Sequence, residues 1–311
     1  MLNSVGIKPD YLSYRITALR KCKEVRSFFI SHPNSIVLNF GFGVFDRIYL
    51  GSIGLKQKII YAETNAFNKY VLDRFCEFTK KAIKKCDAFV FQTKEQAKEH
   101  NLLNNKNSYV IHNPIKQNLP EPYKGERRKA IVNFCRLSRQ KNLLLLIEAF
   151  NEIKDKIIDY NVEIYVDTAN VNDLSYYEEI LQYIKSNDLE ERVRLLPPSS
   201  EIHSIINDCA MFVSTSDYEG ISNSMIEAMA IGLPCICTDC DGGGAREIIE
   251  DSVNGILIPK KDKEALKKAM LKMINDAELR NRCSENAVKI KDSLSVDGIV
   301  DEWIKVIDSV I

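Results

Sequence analysis

The sequence predicts an α/β protein made of two domains, each a parallel sheet with helices on both faces. Three observations carry this reading. Strand and helix patterns alternate along the whole chain, as β-α-β connections require. At 311 residues there is room for two domains of ordinary size. A polar stretch at 116–129, with Pro120 and Pro122, separates the two runs of alternation and reads as a linker.

In the first run, 35–40, 58–62 and 87–91 have the β-branched and aromatic content of strands. Between the last two, 69–85 is a helix by its period, with Val71, Leu72, Phe75, Phe78, Ala82 and Ile83 on one face. Lys69, Lys80, Lys81, Lys84 and Lys85 fall on its other face. Residues 109–114 form a short strand ending in a turn at Asn113-Pro114. The second run opens with a strand at 130–135 and a helix at 143–157, and continues with strands at 162–166, 193–196, 211–214 and 234–238. A last helix starts near Val296 and contains Trp303.

Composition narrows the class. Hydrophobic residues make up 45% and charged residues 28%, the balance of a soluble globular chain. No apolar run reaches the roughly 20 residues of a membrane-spanning helix, and residues 1–6 lack the features of a secretory signal. Nine cysteines without framework spacing predict reduced thiols and a cytoplasmic location. The charge is divided unevenly. Residues 1–125 carry 20 Lys+Arg against 10 Asp+Glu, and residues 126–311 carry 23 against 33. A basic first half fits an anionic partner such as lipid headgroups or a pyrophosphate; solvated lysine faces explain it equally well.

In open α/β sheets, ligands bind beyond the carboxyl ends of the strands. Three loops there stand out. In Cys135-Arg136-Leu137-Ser138-Arg139-Gln140-Lys141-Asn142, Arg136 and Lys141 can converge on a pyrophosphate, and Asn142 suits the N-cap of the next helix. A solvated basic loop is the plainer reading. In the second, Ser214 to Ser224 leads into Met225-Ile226-Glu227, and Glu219 and Glu227 lie eight residues apart. Ser224 and Glu227 have capping-box spacing, which would give Glu227 a purely structural task, whereas Glu219 before Gly220 has none. The third holds Gly242-Gly243-Gly244, which admits close backbone approach or simply a flexible turn.

Other features carry little. Cys235, Cys237 and Cys240 suggest a metal set, but Cys235 and Cys237 are expected on different sides of an apolar strand, and no second Cys pair or nearby His completes the set. His32, His100, His112 and His203 are scattered, without the signature of a hydrolase triad. Gly41-Phe42-Gly43 lacks the third glycine of a dinucleotide fingerprint.

Taken in order, these segments resemble the retaining family-4 glycosyltransferases. The likeness runs from Tyr109 to about Pro259. It rests on Val110-Ile111-His112-Asn113-Pro114, Arg136-Leu137 with Lys141-Asn142, and Leu146-Ile147-Glu148-Ala149-Phe150. It continues through Ser216-Asp217-Tyr218-Glu219-Gly220, Glu227-Ala228-Met229-Ala230-Ile231-Gly232-Leu233-Pro234, Thr238-Asp239 with Gly242-Gly243, and Asn254-Gly255-Ile256-Leu257-Ile258-Pro259.

The resemblance implies a GT-B fold of two Rossmann-like domains, the N-terminal one shortened. Residues 1–115 would be a partial acceptor-side domain, 116–129 the linker, 130–295 the donor domain and 296–311 a helix returning to the first. It implies a hexosyl or N-acetylhexosaminyl transferase with a UDP-sugar donor and a growing glycan or lipid-linked acceptor. Neither a cofactor nor a metal nor nucleic acid is expected. Arg136 and Lys141 match the pair that holds the donor diphosphate as it leaves. Glu219 matches the glutamate near the donor sugar, and Glu227 the one on the ribose. Gly220, Asn223, Ser224 and Met225 fall in the loop that contacts phosphates and sugar. An anionic membrane surface would suit the basic first half, placing the protein at the inner face of the membrane.

The chain also departs from the pattern. Cys135 stands in place of a glycine, Asp167-Thr168-Ala169-Asn170 in place of a glycine-rich turn, and residues 1–115 match only the later part of the first domain. A sheet shortened in this way would expose an edge. A sugar-nucleotide binder without turnover, or an epimerase on the same fold, are the alternative readings.

Overall fold

The computed structural model describes residues 14–41, 43–64, 77–167 and 173–311. Four parallel strands form the first sheet: β1 (Ile36–Phe40), β2 (Lys58–Ala62), β3 (Ala88–Phe91) and β4 (Ser108–Val110), in that order across it. β3 is buried along its whole length and β2 from Ile59 onward, as strands covered on both faces must be. β4 ends at Val110, short of the turn expected at Asn113-Pro114; beyond it the Ile111 amide still bonds to the Phe91 carbonyl at 2.9 Å. Of the lysine-rich helix, Glu77–Ile83 is described, and Lys69, Val71, Leu72 and Phe75 lie outside the described residues. So do residues 1–6, Phe42 and 168–170.

The second sheet holds β5 (Arg128–Phe134), β6 (Asn161–Tyr165), β7 (Val193–Leu196), β8 (Cys209–Ser214), β9 (Cys235–Asp239) and β10 (Ile256–Pro259). All are parallel, in the order β10-β9-β8-β5-β6-β7. The chain works outward from β5 to β7 and then returns to the other side of β5 as β8. Connections leave in opposite directions there, opening a crevice at the carboxyl ends of β5 and β8. The first sheet, among the described residues, has no such reversal. β5 begins at Arg128, two residues before the strand expected from Ala130. The helix predicted at 143–157 spans Leu143–Ile153, and its last turn tightens into a 3₁₀ turn at Lys154–Lys156.

Alternate residues of each strand supply opposite faces of the second sheet. Ile131, Val213 and Ile236 pack beneath helices Leu143–Ile153 and Lys263–Asn275. Val132, Phe212, Cys235 and Cys237 pack on the other face against helix Asn223–Ala230. Cys235 and Cys237 therefore share a face, correcting the expectation that they point apart: a period of two returns every second residue to the same side. All three of Cys235, Cys237 and Cys240 are buried, and burial pushes the Cys240 thiol up to about 12. Among the described residues no three His, Cys, Asp or Glu side chains converge as a cation site, and no helix is long and apolar enough to cross a membrane.

The apolar layer around helix Asn223–Ala230 continues to Ile60, Ala62, Ala88 and Val90 of the first sheet, so one core joins the two halves. The last helix, Val296–Asp308, enters the same layer through Ile299 and Val306. Its Ser295 cap accepts from the Gly298 amide at 3.3 Å. Trp303 meets Phe40 of β1, with ring centroids 5.5 Å apart. β1 is the edge of its sheet among the described residues, and Leu38 and Phe40 are 39% and 56% exposed on it. At the junction of the halves, helix Lys94–Glu99 carries Glu99, whose Oε2 is buried without a hydrogen bond among the described residues.

Trp303 is the only tryptophan in the chain, so its fluorescence reports on the contact between the last helix and β1. Phe40→Ala should red-shift the emission and cost about 1 kcal/mol, the worth of one aromatic pair; an unmoved emission maximum would show that the rings do not meet. A pH dependence follows from Glu99, whose carboxyl is raised from 4.5 to about 7 by burial first and then by Glu95 and Asp241. The folded state holds this proton more tightly than the unfolded one, so its contribution is present below pH 4.5 and is lost as pH rises toward 7. In thermal melts Glu99→Gln should match the parent at pH 4 and melt higher at pH 8. An equal difference at both pH values would contradict this assignment.

Candidate functional site

The crevice between β5 and β8 is built from the loops that leave those strands. After β5 the chain makes a 3₁₀ turn, Arg139–Lys141, and Asn142 adopts a left-handed conformation at φ 45°. The Thr215 hydroxyl fixes this turn by donating to the Lys141 and Asn142 carbonyls at 3.0 and 2.9 Å. Asn142 stands at the N-cap of helix Leu143–Ile153, but its side chain does not cap it as expected. The left-handed backbone turns the amide away, and it donates to Asp217 Oδ1 at 3.0 Å instead, tying the two loops together.

The turn directs Lys141 into the crevice, where Nζ lies 2.5 Å from Glu219 Oε2, with the two side chains 11% and 20% exposed. Gln140 supports this pair by donating to the Tyr218 carbonyl at 2.7 Å and to Glu219 Oε2 at 3.4 Å. Arg136 is exposed and has neither a hydrogen bond nor an ion pair among the described residues. Burial pushes the neighbouring Cys135 thiol up to about 12, while Lys141 and Arg136 pull it down and Glu219 pushes it up. These three charged groups thus surround the residue that replaces the expected glycine. Arg139 instead pairs with Glu179 at 2.8 Å and Asp173 at 3.2 Å and lies over the Tyr176 ring.

After β8, Glu219 is held through its backbone, its amide donating to the Asp241 carbonyl at 2.8 Å. The glycines beside it have specific tasks. Gly242 and Gly243 have φ of 88° and 71°, and a Cβ on Gly244 would overlap the Gly220 carbonyl. The triple glycine thus lets the β9 loop lie against the β8 loop, which a merely flexible turn would not need. A Cβ on Gly220 would in turn strike the Gln92 side chain.

Helix Asn223–Ala230 starts at this point. Its N-cap is Ser222, whose hydroxyl makes no cap bond and lies 3.0 Å from that of Ser224. The expected Ser224–Glu227 capping box is absent, because Ser224 is already inside the first turn. Glu227 reaches sideways, with Oε2 2.8 Å from His203 Nε2. His203, passed over in the sequence as one of four scattered histidines, is 5% exposed, and its ring meets Phe134 edge-on at 5.8 Å. Met225 is buried in the core, leaving only its backbone toward the crevice.

Two further residues have no site role by sequence alone: Gln92, which is not singled out there, and Asn113, which reads only as a turn and as part of a matching segment. The Ile221 amide donates to Gln92 Oε1 at 3.1 Å, and Gln92 Nε2 donates to Asn113 Oδ1 at 2.7 Å. Asn113 Nδ2 donates to Asn223 Oδ1 at 2.9 Å and the Ile221 carbonyl at 3.3 Å. The first half thereby holds the loop that opens the helix. A shielded lysine, an unpaired arginine and a helix N-terminus without a side-chain cap are suited to an anion. The two glutamates are suited to accept from hydroxyl groups.

Residues 115–290, more than half of the chain, match the family of glycosyl transferases group 1. Among curated relatives, the poly(glycerol-phosphate) alpha-glucosyltransferase of Bacillus subtilis is 25% identical over 250 residues, covering 79% of this chain and 36% of that protein. An N-acetylgalactosamine-N,N'-diacetylbacillosaminyl-diphospho-undecaprenol 4-alpha-N-acetylgalactosaminyltransferase of Campylobacter jejuni is 30% identical over 161 residues, 51% of this chain and 41% of that one. The chain thus spans less than half the length of either relative. Anabaena HepE, solved in complex with UDP, superposes with a TM-score of 0.79 at 18% identity, over 93% of this chain and 82% of that chain. That likeness is one of fold, and it agrees with two parallel sheets of four and six strands in a GT-B arrangement. By its matched segment and its architecture, this chain belongs to the group 1 glycosyltransferases.

Proposed function

We propose that the chain transfers a hexose or N-acetylhexosamine from a UDP-sugar to a growing glycan or lipid-linked acceptor, with retention of configuration. The observation that carries this reading is the meeting of Lys141, Glu219 and the uncapped start of helix Asn223–Ala230 at the β5–β8 switch point. UDP in the Anabaena structure and the acceptors named for the two relatives support it.

In this proposal the diphosphate lies on the backbone N–H groups of Asn223, Ser224 and Met225, beside Gly220. It takes Lys141 from Glu219 and draws in the unpaired Arg136. Glu227 accepts from the ribose hydroxyls, and the released Glu219 faces the donor sugar. As the bond from the anomeric carbon to the phosphate oxygen breaks, negative charge gathers on the diphosphate, where Lys141 and Arg136 offset it. The acceptor oxygen bonds to the anomeric carbon on the same face and passes its proton to the departing phosphate oxygen. These cations act where a metal otherwise would, and the reaction calls for no cofactor.

Residues 1–115 serve the acceptor side in this reading, 116–129 link, 130–295 hold the donor and 296–311 return to the first half. Helix Tyr14–Ser31 exposes Lys21 and Lys23 and, near its end, Phe28 and Ile30. Such a surface suits peripheral docking on the anionic inner face of a membrane. The sequential order of the first sheet favours a second reading, nucleotide-sugar binding without transfer, because among the described residues that sheet offers no switch-point crevice to an acceptor.

Incubation of radiolabelled nucleotide sugars with membrane extracts separates the two. Label should pass from a UDP-sugar to lipid or polymer; UDP binding with neither transfer nor hydrolysis of any donor would leave only the binder. Glu219→Gln should keep UDP affinity within about threefold while transfer falls roughly a hundredfold, the scale of losing one positioned polar group. Unchanged transfer would remove Glu219 from the chemistry. Sedimentation with anionic vesicles should weaken as salt rises from about 0.1 to 1 M, since screening shortens from roughly 10 to 3 Å. Salt-independent binding would refute electrostatic docking.

A further inference from the structure

We infer that His203 is a positioning residue, which holds Glu227 so that one carboxylate oxygen stays directed at the donor ribose. This rests on the donor-site reading above and assigns a task to a residue outside every motif that supports it. His203 lies on helix Ile202–Ile206, between β7 and β8, and Glu227 on helix Asn223–Ala230, after β8. The fold brings them together across 24 positions, with Nε2 and Oε2 2.8 Å apart.

The histidine is not a solvated surface group. It is 5% exposed, and its ring stands against Phe134, the last residue of β5, at an interplanar angle of 86°. Phe134 is braced by Phe212 of β8 at 5.5 Å. The imidazole is therefore fixed by the strand ends that frame the crevice, and it transmits that rigidity to the carboxylate.

A glutamate side chain turns about three bonds, and holding it in one orientation has an entropic cost. A partner already in place before the ligand arrives removes that cost from binding. Only Oε2 of Glu227 is engaged by His203, and Oε1 has no partner among the described residues. A carboxylate accepts through both oxygens, so Oε1 remains for a ribose hydroxyl. An idle helix-to-helix contact would make the same 2.8 Å bond, and only the response to the ribose tells the two apart.

Calorimetric titration of the full chain with UDP and with 2′,3′-dideoxy-UDP makes the test. The unaltered protein should prefer UDP by about tenfold or more, the worth of hydrogen bonds to a charged acceptor. His203→Leu should bind the dideoxy compound as the parent does and lose most of that preference. His203→Gln, whose amide nitrogen can take the place of Nε2, should recover part of it. Full preference in His203→Leu, or equal weakening toward both compounds in both variants, would overturn the inference while leaving the donor site standing. If the unaltered protein binds UDP with no preference for the ribose, Glu227 does not serve it and the inference falls too. If UDP does not bind at all, the donor-site reading itself is wrong and takes the inference with it.

Discussion

The reversal of strand order between β5 and β8 is the constraint on which the rest of this molecule depends. Because β5 and β8 are neighbours whose connections leave to opposite sides, the loops at their carboxyl ends face each other with no helix between them. Two stretches about 80 residues apart in sequence become the walls of one crevice: Gln140 bonds to Tyr218, Asn142 to Asp217 and Lys141 to Glu219. Each loop is held by the other, and both hang from strands buried between two apolar clusters, one on each face of the sheet.

Close approach of three chain segments then fixes where the helix N-terminus points. Gly244 touches the Gly220 carbonyl, Gly220 leaves room for Gln92, and Gln92 caps the Ile221 amide from the first half. Thr93 extends the contact by donating to the Gly242 carbonyl at 2.6 Å. The start of helix Asn223–Ala230 is thus located by groups on both sides of the cleft, while its own first-turn N–H groups receive no side-chain cap. Joining the halves and leaving that terminus open are two results of the same packing.

How much of this was legible in the sequence depends on whether a residue's role is local. The fold class and most strands could be read, because hydrophobic alternation and turn residues act over a few positions. Lys141 and Glu219 could be singled out too: one is a cation just beyond a strand, the other a carboxylate before a glycine where neither strand nor turn uses it. Glu227 was obscured by a competing local rule. Its spacing from Ser224 suits a capping box, but the helix begins at Asn223 with Ser222 as its cap, so the box is out of register. Asn142 misled similarly, since its left-handed backbone is set by the Thr215 hydroxyl on another loop. His203 and Gln92 had no local signal at all, and Asn113 showed only as part of a turn and of the Val110-Ile111-His112-Asn113-Pro114 segment. Their partners lie 24, 129 and 110 positions away, and only the packed sheets bring them together.

One apparent contradiction resolves at the same scale. The second half carries an excess of acidic residues, 33 against 23 basic, yet its crevice is suited to an anion. The carboxylates around that crevice are individually matched. Glu219 faces Lys141, Glu227 faces His203, Asp239 faces Arg246, and Asp241 faces Lys260. Asp217 accepts from Asn142 and lies 3.4 Å from Lys261. The exposed pairs among these add little to stability, but each lysine or arginine converts the bare negative charge it faces into a short-range dipole. Beyond roughly a Debye length of 8–10 Å the remaining acidic surface is screened. On the proposed donor reading, an incoming diphosphate meets at close range the helix N-terminus, Arg136, which is unpaired among the described residues, and a lysine whose present partner is a carboxylate. Exchanging one oxyanion for another on Lys141 keeps its charge compensated throughout, so the site can be occupied without first exposing a buried cation to an apolar surrounding.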